Sequence, residues 1–583
     1  MMRSAGWYAP IVAALLAIPG GAARAAPDQV QLDPGTLSRY LDPLPLPAKL
    51  DATRAATVSM TEFAQQVLPS NFKAGPYGGK TLVWGYNGSY PGPTLEAKVG
   101  VPFQVTYANN LVSPALLAHL PVDQSLHWAD PLSCGSACAG QRYTGPVPTV
   151  VHLHGGELPS AFDGNPEAWF TPGAAIKGKG FVTTTYVYPN GQEATTLWYH
   201  DHALGITRLN VYAGLAGFYL LRDPVHEPAN LPSGTYEREI VIQDRMFDTN
   251  GQLFYPENGS RYGSSFWIDR FLGDTIVVNG KAWPYLNVEP RRYRFRLLNG
   301  SNSRIYTLAL QTASGAAGPV LWQIGTDGGL LDKPIKATPL TIAPGERADV
   351  VVDFTGAKGA SYLLANSNSD RSNGSYSSSN LTSEIIKVNV SLPLNGTDSS
   401  LNPSTLPALR ASNPMVKLSP TVTSSTPARH MTLEHSNGEF LLNGLRWSDP
   451  ATEVPRVGAT EVWQIDNHTG DIHPIHLHLV QFQVQSGSYS GWGGSGSDAT
   501  ANGWKDTVPI QGWGTVTLVA RWAPQDVPAG GVQPGQNLFD FDPTAAKGTT
   551  DRFGYPGGPG YVWHCHILEH EDNEMMRPQL VQP

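Results

Sequence analysis

Short runs of alternating apolar and polar residues recur along this chain. YRFRL (Tyr293–Leu297) and VWQI (Val462–Ile465) are two of them. Every second side chain of such a run lies on one face, as a half-buried strand requires. Three longer stretches share one plan. They are WGYNGSYPGPTLEAKVGVPFQVTYANN from Trp84, IVVNGKAWPYLNVEPRRYRFRLLNGSN from Ile276, and FLLNGLRWSDPATEVPRVGATEVWQIDNHT from Phe440. Each has an Asn-Gly turn (Asn87, Asn279, Asn443), then a proline-bearing segment, then an alternating strand that ends in Asn. Common hairpin chemistry would repeat the turn, but not the long segment after it. The repeating unit is as large as a domain, which excludes a solenoid. The pattern predicts an all-β chain of three Greek-key β-sandwich domains, over about 30–223, 236–392 and 428–583. Residues 393–427 have the Pro/Ser/Asn composition of a linker. Ser367 to Asn380 predicts a surface loop.

Composition adds to this picture. A length of 583 residues fits several domains, and 41% hydrophobic with 15% charged residues fits packed globular ones. Gly (61) and Pro (49) are frequent, which favours turns and short strands. The formal net charge is −9. No basic cluster could follow a phosphate backbone, so nucleic acid is not an expected partner. Residues 1–25 read as an export signal, with Arg3, the apolar IVAALLAI and a small-x-small site at Ala23-Arg24-Ala25. That segment is too short to span a bilayer, and no later run reaches about 20 apolar residues. The expected protein is exported, periplasmic or extracellular, with no transmembrane segment. In such an oxidising compartment Cys134 and Cys138 (CGSAC) suit a disulfide, with a second metal site or two free thiols as alternatives.

The chemistry lies in the histidines. Sixteen histidines spread at random over this length give fewer than one His-x-His pair, yet the chain has four. They are His152/His154, His200/His202, His476/His478 and His564/His566. Two pairs fall in the first expected domain and two in the last, and no histidine lies between His226 and His430. On a strand, residues i and i+2 point the same way, so each pair offers two imidazoles to one face. Eight converging imidazoles would repel one another if protonated. Copper resolves that, because neutral imidazole is a good ligand for it. Cys565, between His564 and His566, adds a different set. A thiolate with two imidazoles (His473, His570) and a weak thioether (Met575, with Met576 as alternative) makes a blue-copper electron-transfer site. Zinc would leave the methionine and the HCH bridge unexplained.

These stretches resemble the multicopper oxidases, whose signatures HxHG, WYHDH, HPxHLH and HCHxxxHxxxxM are all present and in order. DGNPEAWFTPG, WYHDHALGITRLNVYAGLAGFYLLRDP and WHCHILEHEDNEMMRP look like the branch containing bacterial spore-coat laccase, bilirubin oxidase and phenoxazinone synthase. The resemblance implies three cupredoxin-like domains and four copper ions: one type 1, one type 2 and a type 3 pair. It places type 1 copper on His473, Cys565, His570 and Met575, and type 2 on His152 and His476. It places the type 3 pair on His154, His200, His202, His478, His564 and His566. Asp163 and Glu571 match acids that handle protons for O₂ reduction, and Asp201 is expected to be structural. The implied activity is laccase-like, coupling one-electron oxidation of phenols or aromatic amines to reduction of O₂ to water. The alternative is a metallo-oxidase of Mn(II), Fe(II) or Cu(I). The expected partners are a small aromatic donor and O₂, and a monomer is favoured. Two features depart from the spore-coat enzyme. No cysteine lies between Cys138 and Cys565, and a Gly/Ser-rich loop, GSYSGWGGSGSDATANGW, follows the HPIHLH strand.

Overall fold

A computed structural model of the chain describes residues 29–257, 266–337, 339–368, 381–410, 413–418, 428–487 and 503–583. The expected export signal lies outside these residues. So do most of the tract from Ser367 to Asn380, part of the 393–427 segment, and most of the Gly/Ser-rich loop.

The described strands form six sheets, two in each third of the chain. Strands between Lys49 and Arg222 make a five-stranded and a four-stranded sheet. Those between Glu237 and Asn389 make sheets of seven and five, and those between Ala428 and Gln579 sheets of five and four. One wiring pattern occurs three times. Strand Ala56–Gln65 is antiparallel to Thr81–Tyr86 and parallel to Phe103–Asn109. Glu237–Arg245 stands in the same relation to Thr275–Val278 and Arg292–Asn299. So does Ala428–Ser436 to Glu439–Leu442 and Thr460–Asn467. A parallel neighbour so near in sequence requires a crossover from one sheet to the other, as in a Greek key.

The Asn-Gly turns fix this wiring. Asn87, Asn279 and Asn443 have φ of 51°, 48° and 57°, and the glycine after each is also positive. That backbone matches the twist of a tight hairpin. Each Asn Oδ1 accepts from the N–H of a residue on the first strand (Ser59, Val241, Thr432) at 2.8, 2.9 and 2.8 Å. Each Asn N–H donates back to the carbonyl of that same residue. The strand-ending Asn109, Asn299 and Asn467 accept from the N–H two residues on, at 3.1, 3.0 and 2.9 Å. This Asx turn bends the chain out of the sheet.

The apolar cores of the first two thirds are continuous, whereas the last third is built around Trp463, Trp522 and Trp563. Residues of the 393–427 segment dock on the body: Leu401 and Leu409 pack with Ile324 and Val351, and Arg410 pairs with Glu193. Cys134 and Cys138 form a disulfide, their Cα atoms 5.8 Å apart. Among the described residues there are two α-helices, Thr207–Ala213 and Leu568–Glu571. They lie where the first and last thirds meet. Asp572, just after the second, accepts from the N–H groups of Thr207 and Arg208 at 3.0 Å and pairs with the Arg208 guanidinium at 3.0 Å. A carboxylate from the last third thus caps a helix of the first.

Candidate metal centre

Strand Tyr561–Cys565 runs antiparallel to His473–Leu477, with His564 opposite His476 and Cys565 opposite Ile475. Alternation turns His564 and His566 to one face and Cys565 to the other. His473 is three residues from His476, so it falls on the cysteine's side. The short helix Leu568–Glu571 then returns His570 to the same place. His473 Nδ1 lies 3.4 Å from Cys565 Sγ, His570 Nδ1 lies 3.8 Å from it, and the two nitrogens are 3.1 Å apart. The centre of that triangle is about 2 Å from each atom, which is metal–ligand range. Thr469 Oγ1 holds His473 Nε2 at 2.8 Å and leaves Nδ1 facing the sulfur. Met575 is fully buried in the same apolar cluster as Cys565, and its carbonyl accepts the Cys565 N–H at 3.0 Å. Met576 packs in a different cluster, with Leu204, Trp447 and Val562. Burial holds the His473 imidazole down, to a pKa of about 3. Burial also pushes the Cys565 thiol well above its ordinary range, so a thiolate there needs a cation beside it.

The other face of these strands meets two strands of the first third. Val151–His154 and Thr195–Asp201 are antiparallel, with His152 opposite His200. All eight paired histidines are buried, at 0–1% exposure. Their donor atoms gather as His154, His200 and His566, as His202, His478 and His564, and as His152 beside His476. His152 stacks on His478 at 3.8 Å, and His154 stacks on His476 at 3.6 Å. Each triad therefore draws on both ends of the chain. Burial first, and then the neighbouring imidazoles, hold His152, His154, His202, His476, His478 and His566 well below the ordinary histidine range. Burial brings His200 to about 3. These seven rings are neutral at neutral pH and free to act as ligands.

The hydrogen bonds around the rings leave nitrogen lone pairs that suit cations between them. The Nδ1 atoms of His152, His476, His200 and His564 each sit 2.6–3.0 Å from a backbone carbonyl, that of Asp163, Asp506, Asp201 and Cys565 respectively. A carbonyl only accepts, so each Nδ1 carries the proton and each Nε2 presents a lone pair. Yet His152 and His476 Nε2 are 3.4 Å apart, and His564 Nε2 is 3.3 Å from both His202 and His478 Nε2. His200 Nε2 and both nitrogens of His566 have no hydrogen-bond partner. Facing lone pairs and unpartnered buried nitrogens are the ligand half of a metal site. Imidazole and thiolate together suit copper.

The acids fall into three kinds. Asp163, 9 residues along from His154 in the sequence, accepts from His478 Nδ1 at 2.7 Å, and burial raises its pKa well above the carboxylate range. Glu571 places Oε1 3.4 Å from His202 Nε2 and Oε2 3.1 Å from His564 Nδ1. Neither oxygen has a hydrogen-bond partner among the described residues. Asp201 turns away, as alternation requires, and accepts from Val150 N–H, Ala203 N–H and Asn210 Nδ2. The third kind escaped sequence reasoning. Asp506 Oδ1 holds His154 Nε2 at 2.9 Å, with Thr507 Oγ1 at 3.1 Å, and so leaves His154 Nδ1 for the triad. Arg347, wholly buried, grips Asp506 at 2.8 and 2.5 Å. Lys505 pairs with Asp327 at 2.8 Å and Glu346 at 2.6 Å beside it. The available signal was a Lys-Asp pair leading directly into a short strand, Thr507–Ile510, in WKDTVPI.

Family models described as multicopper oxidase match residues 71–144, 143–226 and 416–525. The chain is 38% identical to a laccase of Bacillus subtilis over 93% of its own length and 98% of that protein. It is 37% identical to a laccase of Haloferax volcanii, over 94% and 86%. The crystal structure of the McoA multicopper oxidase from Aquifex aeolicus superposes with a TM-score of 0.66 at 27% identity, covering 94% of this chain and all of that one. With these relatives along nearly its whole length, and this arrangement of imidazoles and thiolate, the chain belongs to the multicopper oxidases, copper oxidoreductases that use O₂.

Proposed function

We propose that this protein is an exported, laccase-like oxidase of phenols or aromatic amines that holds four copper ions. The observation that carries this reading is the Tyr561–Cys565 strand and the residue after it, which present Cys565 to one site and His564 and His566 to the other. Two peptide links then join a one-electron site to an O₂ site. His473, Cys565 and His570, with Met575 as axial thioether, would hold type 1 copper. His152 and His476 would hold type 2, and the two histidine triads would hold the type 3 pair. The copper ions, when bound, supply one-electron acceptance from the donor and four-electron reduction of O₂ to two waters. Each donor molecule gives up one electron, and four protons are consumed for each O₂.

The chain's own groups manage those protons. Glu571, in contact with His202 and His564, is the proton-delivery group of this scheme, and Asp163 orients His478. Glu571→Gln is expected to lower turnover on the order of 10²-fold, with copper content and blue colour retained. Steady-state O₂ uptake and metal analysis check this, and unchanged turnover would remove Glu571 from the scheme. Met575→Leu should leave a blue, active protein with a raised type 1 potential. An unchanged potential in a redox titration would exclude Met575 as the axial ligand.

The leader over 1–25 supports export, and a disulfide at Cys134–Cys138 suits an oxidising compartment, periplasmic or extracellular. Aromatic donors are favoured over metal ions because the acids of LEHEDNE are committed. Glu569, Glu571 and Asp572 are buried, and Glu574 accepts from the Trp447 N–H. None of them forms a surface cluster for a metal donor. The test is O₂ uptake by the copper-loaded protein with phenols and aminophenols against Mn(II), Fe(II) and Cu(I). A preference for a metal ion would overturn the aromatic-donor reading.

A further inference from the structure

The first and last thirds of the chain also meet away from the imidazoles, around a cavity of about 250 Å³. Glu157 lines it from the first third. Asp526, Asp540 and the stacked rings of Phe539 and Phe541 line it from the last. Gly191 and Asp526 also line a neighbouring cavity of about 580 Å³, so the two make one groove. Three acids and no basic residue line the smaller cavity among the described residues.

Glu157 is the group that lacks a complement. It is 4% exposed. Its Oε1 accepts from the Gln525 N–H at 3.2 Å, whereas its Oε2 has no hydrogen-bond or ion-pair partner among the described residues. Burial, and next the Asp526 carboxylate, push Glu157 well above the ordinary carboxylate range. Arg521 opposes this, but its Nη2 is given to the carbonyls of Pro524 and Val527 at 2.8 and 2.7 Å. Asp526 and Asp540 are exposed, and neither carboxylate has a partner among the described residues. A cation beside Glu157 would restore its charged form. The three carboxylates do not all lie within 4.8 Å of one another, as those of a ready metal site would. The wall between them is apolar, with Phe539 3% and Phe541 2% exposed and Leu538 beside them. Separated anionic points on an apolar wall fit ammonium groups joined by methylenes.

We propose that this groove binds a small organic polycation, an aliphatic diamine or polyamine. One ammonium lies deep, against Glu157, and another lies at the mouth, against Asp526 or Asp540. The methylene chain between them covers Phe539 and Phe541. An aliphatic ammonium has no readily removed electron, so this ligand is an effector and not a donor. Bound across the groove, it ties the first third to the last and stabilises the assembly that completes both histidine triads.

The experiment titrates the copper-loaded full chain with putrescine, spermidine, n-butylamine, Mg(II) and Ca(II) at constant ionic strength. Calorimetry gives each dissociation constant, and thermal unfolding gives each shift in melting temperature. Putrescine and spermidine should bind and raise the melting temperature, and n-butylamine should bind more weakly than either. Glu157→Gln should weaken putrescine binding about ten- to a hundredfold, the usual loss for one buried charged hydrogen bond. Asp526→Asn, at an exposed position, should weaken it about two- to fivefold. The second variant keeps the test open if the first fails to fold, which the type 1 spectrum and the melting curve report. No binding of putrescine or spermidine at millimolar concentration would overturn the proposal. So would putrescine affinity unchanged in both variants. Tighter binding of Mg(II) or Ca(II) than of either polyamine would overturn the ligand class and make the groove a metal site.

Discussion

Cys565→Ser yields a folded, colourless protein that does not turn over with any donor. The side chain is fully buried, and its sulfur is the only thiolate donor near His473 and His570. A serine oxygen is a poor substitute for a soft thiolate in a blue-copper site. The fold survives because the change is nearly isosteric. The new hydroxyl can accept the Ile567 N–H that Sγ now accepts at 3.4 Å, so the destabilisation stays within about 1–3 kcal/mol. The eight imidazoles on the other face are untouched, and metal analysis should find their copper in place. Absorption, metal content, thermal unfolding and O₂ uptake check each part. Retained oxidase activity would refute the assignment of the thiolate site as the point of electron uptake.

Arg347→Met should cost about 3–5 kcal/mol, the usual penalty for leaving a buried charge without its partner. Arg347 is fully buried on strand Arg347–Asp353 and contacts all three thirds of the chain. Its Nε donates to Thr196 O at 2.9 Å, its Nη1 to Gly345 O at 2.9 Å, and both its Nη atoms to the Asp506 carboxylate. Without it, Asp506, Asp327 and Glu346 share one remaining cation, Lys505. Asp506 also orients His154, so copper content should fall along with the melting temperature. Asp506→Asn removes the stranded charge, and the double variant should be less damaged than the two single effects added together. Calorimetry and metal analysis are the readouts. An unchanged melting temperature with full copper would mean that the network plays no part in building the site.

The parts of the site legible in sequence are those set by alternation within a strand. A His-x-His pair needs only a period of two to place both rings on one face, and HCH needs only the same rule to separate Cys565 from its neighbours. The Asn-Gly turns were equally readable, because their backbone demands those residues. What sequence could not supply was set by contacts distant along the chain. Arg347 meets Asp506 across 159 positions, and nothing local in GERADVVVD announces that partner. The sorting of six histidines into two triads likewise depends on how the first and last thirds meet. Met575 and Met576 are adjacent, and only the turn after the short helix sends one to Cys565 and the other to Trp447.

The mixed parentage of the two triads has a consequence for biosynthesis. His154 and His200 wait for His566, and His202 waits for His478 and His564. The thiolate site cannot exist before Cys565 and His570 are made. A chain still being synthesised, or one truncated ahead of His564, therefore holds two-ligand remnants of both triads and of the thiolate site only His473. Such remnants lack the third donor that would retain an ion. Completion of the two triads and the thiolate site therefore reports that the polypeptide is whole and that its two ends have found each other.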